Sequence, residues 1–332
     1  MSSVASGTDI RRVCVVGGAG FIGSHFVDYF LGSDTTEAVT VYDNFSSGRT
    51  WHLADHGADP RLRVVRGDVG DLASLVAAVQ GAQTVIHLAS NPDIARAATD
   101  PAVDFDQGTL LTHHVVEACR QGEVRTLLYA SGSGVYGDLG ELEVREDHGP
   151  LIPVSTYGAS KLAGEALIAS YCFMFGLTAR AFRFGNVVGP RQTHGVGYDF
   201  LHRLIAEPSR LGILGDGRQS KSYIYVTDVI DAVLLAARTP GPPYAVYNVA
   251  TGDYITVTEI AELAVEVIGL APGSTVFEYS GGDRGWKGDV PVVRLNTERV
   301  RALGWSNQYS AADAIRRSLS AMLDDALAGR LR

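Results

Sequence analysis

Tyr157 and Lys161 stand four residues apart in Tyr157-Gly158-Ala159-Ser160-Lys161, so a helix there carries both side chains on one face. A free tyrosine ionises near ~10, too high for a base at neutral pH. A lysine cation one turn away favours the phenolate and lowers that value. The same lysine can hydrogen-bond a nicotinamide ribose. Such a pair takes a proton from a hydroxyl while a hydride leaves the same carbon for NAD. Y-x-x-x-K arises by chance on many helices, so its meaning depends on whether the chain holds a nicotinamide cofactor.

Residues 13–23, VCVVGGAGFIG, supply that context. An apolar run over 13–16 reads as a buried strand. Gly17, Gly20 and Gly23 follow, and an amphipathic stretch begins at Ser24. A strand, a glycine turn and a helix start bring backbone N–H groups up to a pyrophosphate, and only glycine allows so close an approach. The spacing is G-x-x-G-x-x-G, which differs from the usual G-x-G-x-x-G. The next strand, 39–42, ends in Asp43, twenty positions after Gly23. A carboxylate there accepts from an adenosine ribose diol and repels a 2′-phosphate, so the expected cofactor is NAD rather than NADP. The polar loop 44–49 is placed to wrap the adenosine. Asp68, just past the strand 62–66, either faces the adenine amino group or caps the helix 72–79.

These residues need a scaffold. Strands at 84–88, 126–130 and 178–182 alternate with helices at 109–120 and 157–175. That alternation gives an α/β fold of Rossmann type, a doubly wound parallel sheet. Past Phe184 the pattern becomes irregular, which suggests a smaller mixed α/β C-terminal lobe for the substrate. The expected division is a disordered tail over 1–10, an NAD-binding domain over 11–184 and a substrate lobe over 185–332, with some of the later chain crossing back to the sheet. His87, in an apolar strand, reads as a satisfied core histidine. His113 and His114 are adjacent, point about 100° apart, and read as surface or interface residues rather than a metal pair.

Composition narrows the partners. The 332 residues carry 28 basic and 37 acidic side chains, net −9, which argues against a nucleic-acid or anionic-membrane surface. Cys14, Cys119 and Cys172 are scattered in apolar stretches and read as buried hydrophobes, so neither disulfides nor a metal site is expected. No apolar run approaches ~18 residues and residues 1–12 lack a signal-peptide core, so a cytoplasmic protein is expected.

The motifs together resemble the extended short-chain dehydrogenase/reductases of the NAD-dependent nucleotide-sugar epimerase/dehydratase group, most of all the UDP-glucose 4-epimerase-like members. The resemblance rests on GGAGFIG at 17–23, YDNFSSG at 42–48, GDV at 67–69, HLAS at 87–90, SGSGVYG at 131–137, YGASK at 157–161, FRFGNVVGP at 182–190, LGDGRQSKSYIYVTDV at 214–229 and GDVP at 288–291. It implies that Phe21 and Ile22 flank the pyrophosphate and that Asp43, Asn44 and the loop through Ser46, Ser47 and Gly48 hold the adenosine. Asp68 and Val69 border adenine, and Leu88, Ala89 and Ser90 line the nicotinamide side. Asn186 and Val187 are implied at the sugar nucleotide and Lys221 at its diphosphate. Arg284, in the polar segment 281–289, joins the expected substrate residues. A homodimer through the helices 109–120 and 157–175 is expected by analogy with the family.

Three positions depart from the family pattern. The Ser or Thr usual four residues before the Tyr of VYG is Gly132 here, leaving Ser133, and less favourably Ser131, as the stand-in beside Tyr157 and Lys161. The asparagine common on the preceding helix falls at Gln107 or Gly108; Gln107 is counted with the cofactor residues. The diphosphate arginine is replaced by Lys221. The dehydratase pattern resembles T-D-E-V-Y-G; this chain has Ser133 and Gly134 there and so lacks its Asp and Glu. The reading is therefore an NAD-dependent nucleotide-sugar 4-epimerase, with a dehydratase or other NDP-sugar oxidoreductase, and a non-catalytic NAD-binding regulator, as alternatives.

Overall fold

Five consecutive residues with no charge after the first, Arg12–Val16, form the central strand β1, buried from Val13 onward. A parallel strand covered on both faces must be apolar on both, which is why the run does not alternate. The computed structural model describes residues 10–91 and 93–330. Most of the tail expected over 1–10 lies outside them, and Ile10 is buried in the core.

Six more strands flank β1: β2 (Ala38–Asp43), β3 (Leu62–Arg66), β4 (Thr84–His87), β5 (Thr126–Gly132), β6 (Thr178–Phe184) and β7 (Tyr244–Val249). All pairings are parallel, in the order β7-β6-β5-β4-β1-β2-β3. The order reverses between β1 and β4, and a crevice opens there at the carboxyl ends of the strands. On one face lie α1 (Phe21–Leu31) and α6 (Val226–Arg238), with Phe26, Phe30, Val229 and Val233 against Val13 and Val15. On the other lie α2 (Leu72–Val79), α3 (Leu111–Gln121) and α4 (Thr156–Phe175), burying all three cysteines without a disulfide. Each fully buried Phe or Leu in these layers contributes about 1.5–3 kcal/mol.

The smaller lobe packs α5 (Val196–Ala206), α7 (Val257–Ile268) and α8 (Ala311–Leu327) around a core of its own, including Leu201, Leu204, Ile260 and Leu319. Two elements that follow residue 185, β7 and α6, belong to the sheet layer. Among the described residues no helix is long and apolar enough to cross a membrane.

One element differs from the helix expected over 109–120. A single helical turn, Ala102–Asp104, leads into a π-helical turn, Phe105–Leu110, before α3 begins. This strap lies so close to α4 that a Cβ on Gly108 would sit 2.7 Å from Ser160 Cβ. A widened turn with a glycine at the contact satisfies that approach where a straight helix does not.

Candidate active site

The crevice at the β1/β4 switch is a cavity of about 680 Å³ that runs from β2 to the smaller lobe. Its cofactor end is built on the glycine turn. Gly17 has φ +85° and sits against Ala89, whose N would lie 2.7 Å from a Cβ; a Cβ on Gly23 would fall 2.2 Å from the Gly17 carbonyl oxygen. No side chain caps α1, so the N–H groups of its first turn stay open, and Gly20, Phe21, Ile22 and Gly23 all line the cavity. An uncapped helix start bared by glycines is an anion site.

Asp43 closes the far side of this end. Its carboxylate accepts from Ala19 N at 2.9 Å and Phe45 N at 2.7 Å and keeps lone pairs for a ribose diol. Burial raises its pKa while those two N–H groups pull it back. Gly48 lies outside the lining and acts behind Asp43, where a Cβ would approach Oδ1 to 2.9 Å. Asn44, Ser46, Ser47, Asp68 and Val69 line the cavity. Asp68 accepts from Asn44 Nδ2 and Gly70 N, which hold its pKa below the usual carboxylate range. The cap of α2 is Asp71, so of the two roles weighed for Asp68 the helix cap is excluded. These groups fit a bound dinucleotide: a pyrophosphate at the bare helix start, a diol at Asp43, and the buried Ser90 hydroxyl, without a hydrogen bond of ordinary geometry, at the other end.

Tyr157 and Lys161 come from the first turns of α4, whose N-cap Ser155 accepts from Gly158 N at 3.1 Å. Both line the cavity together with Leu88, Ala89 and Ser90. Lys161 is 4% exposed, donates from Nζ to the Ala130 carbonyl at 2.9 Å, and lies 5.5 Å from the Tyr157 ring centroid. Enclosure decides the electrostatics. It pushes the Lys161 ammonium down to about 8 and the Tyr157 hydroxyl up to about 12, although the tyrosine keeps some contact with solvent. The neighbouring Ser90 hydroxyl works the other way, favouring the phenolate. The expected lowering of the phenol by Lys161 is not seen: desolvation dominates, and the Ser90 hydroxyl is the group that opposes it.

The two serines separate. Ser131 is 5% exposed and its hydroxyl donates to Glu165 at 2.6 Å, beside the buried Glu165–Arg183 ion pair. Ser131 lines the cavity too, but its one hydroxyl proton is committed to Glu165, so toward a substrate it can only accept, which disfavours it against Ser133 as the stand-in. Ser133 opens the 3-10 turn after β5 and lines the cavity, and its hydroxyl has no hydrogen-bond partner among the described residues. Between them, a Cβ on Gly132 would meet no atom within 4 Å.

At the substrate end Asn186 and Val187 line the cavity on a short strand, Asn186–Val188, paired with Tyr223–Tyr225. Lys221 lines it too, but its ammonium is paired with Asp289 at 2.7 Å. Arg284 differs from expectation. Its guanidinium binds Asp138 at 2.6 Å and the Asp289 carbonyl at 2.7 Å, outside the lining. It bridges two loops rather than facing a ligand. Gln107 lines the cavity from the π turn.

Several lining residues escaped the sequence reading. His114 lines the cavity and donates from Nδ1 to the Val69 carbonyl at 2.8 Å, which corrects its reading as a surface or interface residue. His87, outside the lining, is buried as a core histidine but not fully satisfied: Nε2 bonds Thr112, Nδ1 has no partner among the described residues, and burial holds its pKa down to about 3. Asn91, Gln192, His194 and Trp286 also line the cavity. The only sequence signal for them was position, in loops at the carboxyl edge of the sheet or in the polar segment 281–289. Among the described residues no group of three or more His, Cys, Asp or Glu side chains is arranged to hold a metal.

The sequence profile of the NAD dependent epimerase/dehydratase family matches residues 13–250. The chain is 32% identical to a UDP-glucose 4-epimerase of Mycolicibacterium smegmatis over 93% of its own length and 97% of that protein. It is 30% identical to a dTDP-glucose 4,6-dehydratase of Actinoplanes sp. over 85% and 90%. The crystal structure of a Thermus thermophilus UDP-glucose 4-epimerase complex with NAD superposes with a TM-score of 0.82 at 30% identity, covering 94% of this chain and 99% of that one.

Proposed function

Because this chain belongs to the NAD-dependent epimerase/dehydratase family and uses NAD, we propose that it is a nucleotide-sugar 4-epimerase. The observation that carries this reading is the composition of the turn after β5. Ser133 and Gly134 occupy the positions of Asp and Glu in the dehydratase-like pattern, and a loss of water needs an acid and a base there. The carboxylates that line the cavity are Asp43, Asp68 and Asp106, none of them from this turn. Epimerisation asks for less: one group to move a proton at O4, and room for the sugar to turn.

Bound NAD supplies a hydride acceptor, and then donor, for C4 of the sugar. Tyr157, its phenolate favoured against burial by the Ser90 hydroxyl, takes the proton of the C4 hydroxyl and later returns it. Lys161, held by the Ala130 carbonyl, keeps a positive charge beside the phenol and orients the cofactor ribose. Ser133 hydrogen-bonds the reacting oxygen. The open space at Gly132, beside C4, has room for a bulkier or differently tilted sugar than a UDP-hexose requires. Phe21, Ile22, Asp43, Asn44, Asp68 and Leu88 to Ser90 hold the cofactor; Asn186, Val187 and Lys221 hold the sugar nucleotide, Lys221 exchanging Asp289 for the diphosphate.

The enzyme works as a cytoplasmic homodimer. Support for the dimer comes from the exposed apolar residues of the strap and the C-terminal end of α4: Phe105 at 59%, Phe173 at 74% and Met174 at 71% exposure. The test of function is incubation with a panel of NDP-sugars, followed by sugar NMR and absorbance at 340 nm. The expected outcome is a changed sugar with no net NADH. A 4-keto-6-deoxy product identifies a dehydratase, accumulating NADH a one-way dehydrogenase, and no change with NAD bound a regulator.

A further inference from the structure

The strap formed by Ala102–Asp104 and the π turn Phe105–Leu110 touches α4 at two places one helical turn apart. Gly108 packs on Ser160, and Asp104 bonds Thr156. Asp104 is 1% exposed. Its Oδ2 accepts from Thr156 Oγ1 at 2.7 Å and its Oδ1 from Asn91 Nδ2 at 2.9 Å. Asn91, itself 4% exposed, is fixed in turn by Asp93, donating to its carbonyl at 2.9 Å and accepting its N–H at 3.0 Å.

Thr156 precedes Tyr157 and Asn91 follows Ser90. One buried carboxylate therefore ties together the two chain segments that carry the phenol and the hydroxyl beside it. Among the described residues no cation contacts Asp104, only these two neutral donors. A buried charge is costly without an ionic partner, and a neutral side chain would serve if the contact were packing alone. The charged and titratable groups around it are Tyr157 and Lys161 on α4, Asp106 on the strap, Asp93 beside Asn91, and the exposed Arg96–Asp100 pair of the preceding loop.

We propose that Asp104 is a positioning residue for the chemistry at Tyr157: it locks the first turn of α4 to the loop after β4 and sets the field at the phenol and the lysine. The proposal rests on the reading of Tyr157 and Lys161 as the proton-handling pair. The negative charge disfavours the phenolate and favours the ammonium, so it opposes the burial that drives Lys161 down.

Three variants of the NAD-loaded enzyme test this, with UDP-glucose as substrate. Thr156→Val removes the hydroxyl and keeps the carboxylate. It is expected to lower kcat about tenfold through misplacement of the phenol, with KM within about twofold. Thr156→Ser restores the rate. Asp104→Asn keeps both hydrogen bonds, its amide oxygen accepting from Asn91 and its NH2 donating to Thr156, but removes the charge. Loss of that charge lowers both the Tyr157 and the Lys161 pKa, so the pH–rate limb moves to lower pH whichever group governs it. A second readout needs no turnover: in Thr156→Val, amide hydrogen exchange rises in the 88–93 segment as well as in 156–161, because the clamp joins them. Thr156→Val with wild-type kcat and unchanged exchange over 88–93 overturns the clamp. A slower Asp104→Asn enzyme whose pH limb does not move overturns the electrostatic role. If the wild type turns over no nucleotide sugar, the functional reading fails, and the exchange measurement decides the clamp by itself.

Discussion

Ser131→Ala and Ser133→Ala, on either side of Gly132, should have opposite consequences. Glu165 has three donors among the described residues: Ser131 Oγ at 2.6 Å, and Arg183 Nε at 3.0 Å and Nη2 at 2.7 Å. Ser131→Ala removes one of them from a buried carboxylate. A hydrogen bond to a buried charge contributes about 1.5–3 kcal/mol to stability. For a chain of this size that corresponds to a fall in Tm of about 2–4 °C. Its kcat should stay within about twofold, because Arg183 still fixes the carboxylate. Ser133 has no protein partner to lose, so its removal should change stability by less than about 0.5 kcal/mol. It should lower kcat by about tenfold, or ~1.4 kcal/mol of barrier. Gly132→Ser completes the set. The backbone there is extended, φ −160° and ψ 164°, and a Cβ meets nothing within 4 Å, so a serine fits without strain. Combined with Ser133→Ala it should restore turnover of UDP-glucose. Thermal melts and steady-state epimerisation at saturating substrate read all three. Wild-type kcat in Ser133→Ala, or a tenfold kcat loss with unchanged Tm in Ser131→Ala, refutes the assignment of the two hydroxyls.

Tyr157→Phe removes the proton carrier without touching the glycine turn or Asp43, so turnover should fall at least ~10²-fold while bound NAD, measured on the purified protein, is retained. Asp43→Ala with a nearby arginine should weaken NAD and admit NADP, read by the ratio of the two Kd values; a wild type that already prefers NADP contradicts the role of β2. His87 and His52 are each 1% exposed, and burial holds their pKa down to about 3 and about 4. The unfolded chain protonates them near ~6.5, so their stability contribution is complete above that pH and is lost toward pH ~4, at ~1.4 kcal/mol per unit for each; urea melts at pH 7 and 5 that coincide would contradict this. The apolar ends of the strap and α4 predict a dimer mass in light scattering at micromolar concentration, and a monomer counts against the interface.

The sequence alone determined the parts of this protein whose physics is local. A four-residue apolar strand, glycines three apart and an acidic residue at the next strand tip read directly as β1, the bare start of α1 and Asp43, because backbone sterics and strand periodicity act within about thirty residues. Tyr157 and Lys161 read as one face of α4 for the same reason. What the tertiary structure decided depends on partners far along the chain. Ser131 and Ser133 cannot be told apart until Glu165, 34 residues later, takes one hydroxyl. Arg284 looked like a ligand for an anion until Asp138, 146 residues earlier, proved to hold it. Asp104 carried no signal, since its meaning comes from Thr156 and Asn91. The phenol of Tyr157 shows the limit most directly. Spacing from Lys161 argued for a lowered pKa, and enclosure raised it to about 12. Burial is a property of the whole fold, and its cost to a phenolate sets the direction at Tyr157, so only the folded chain shows it.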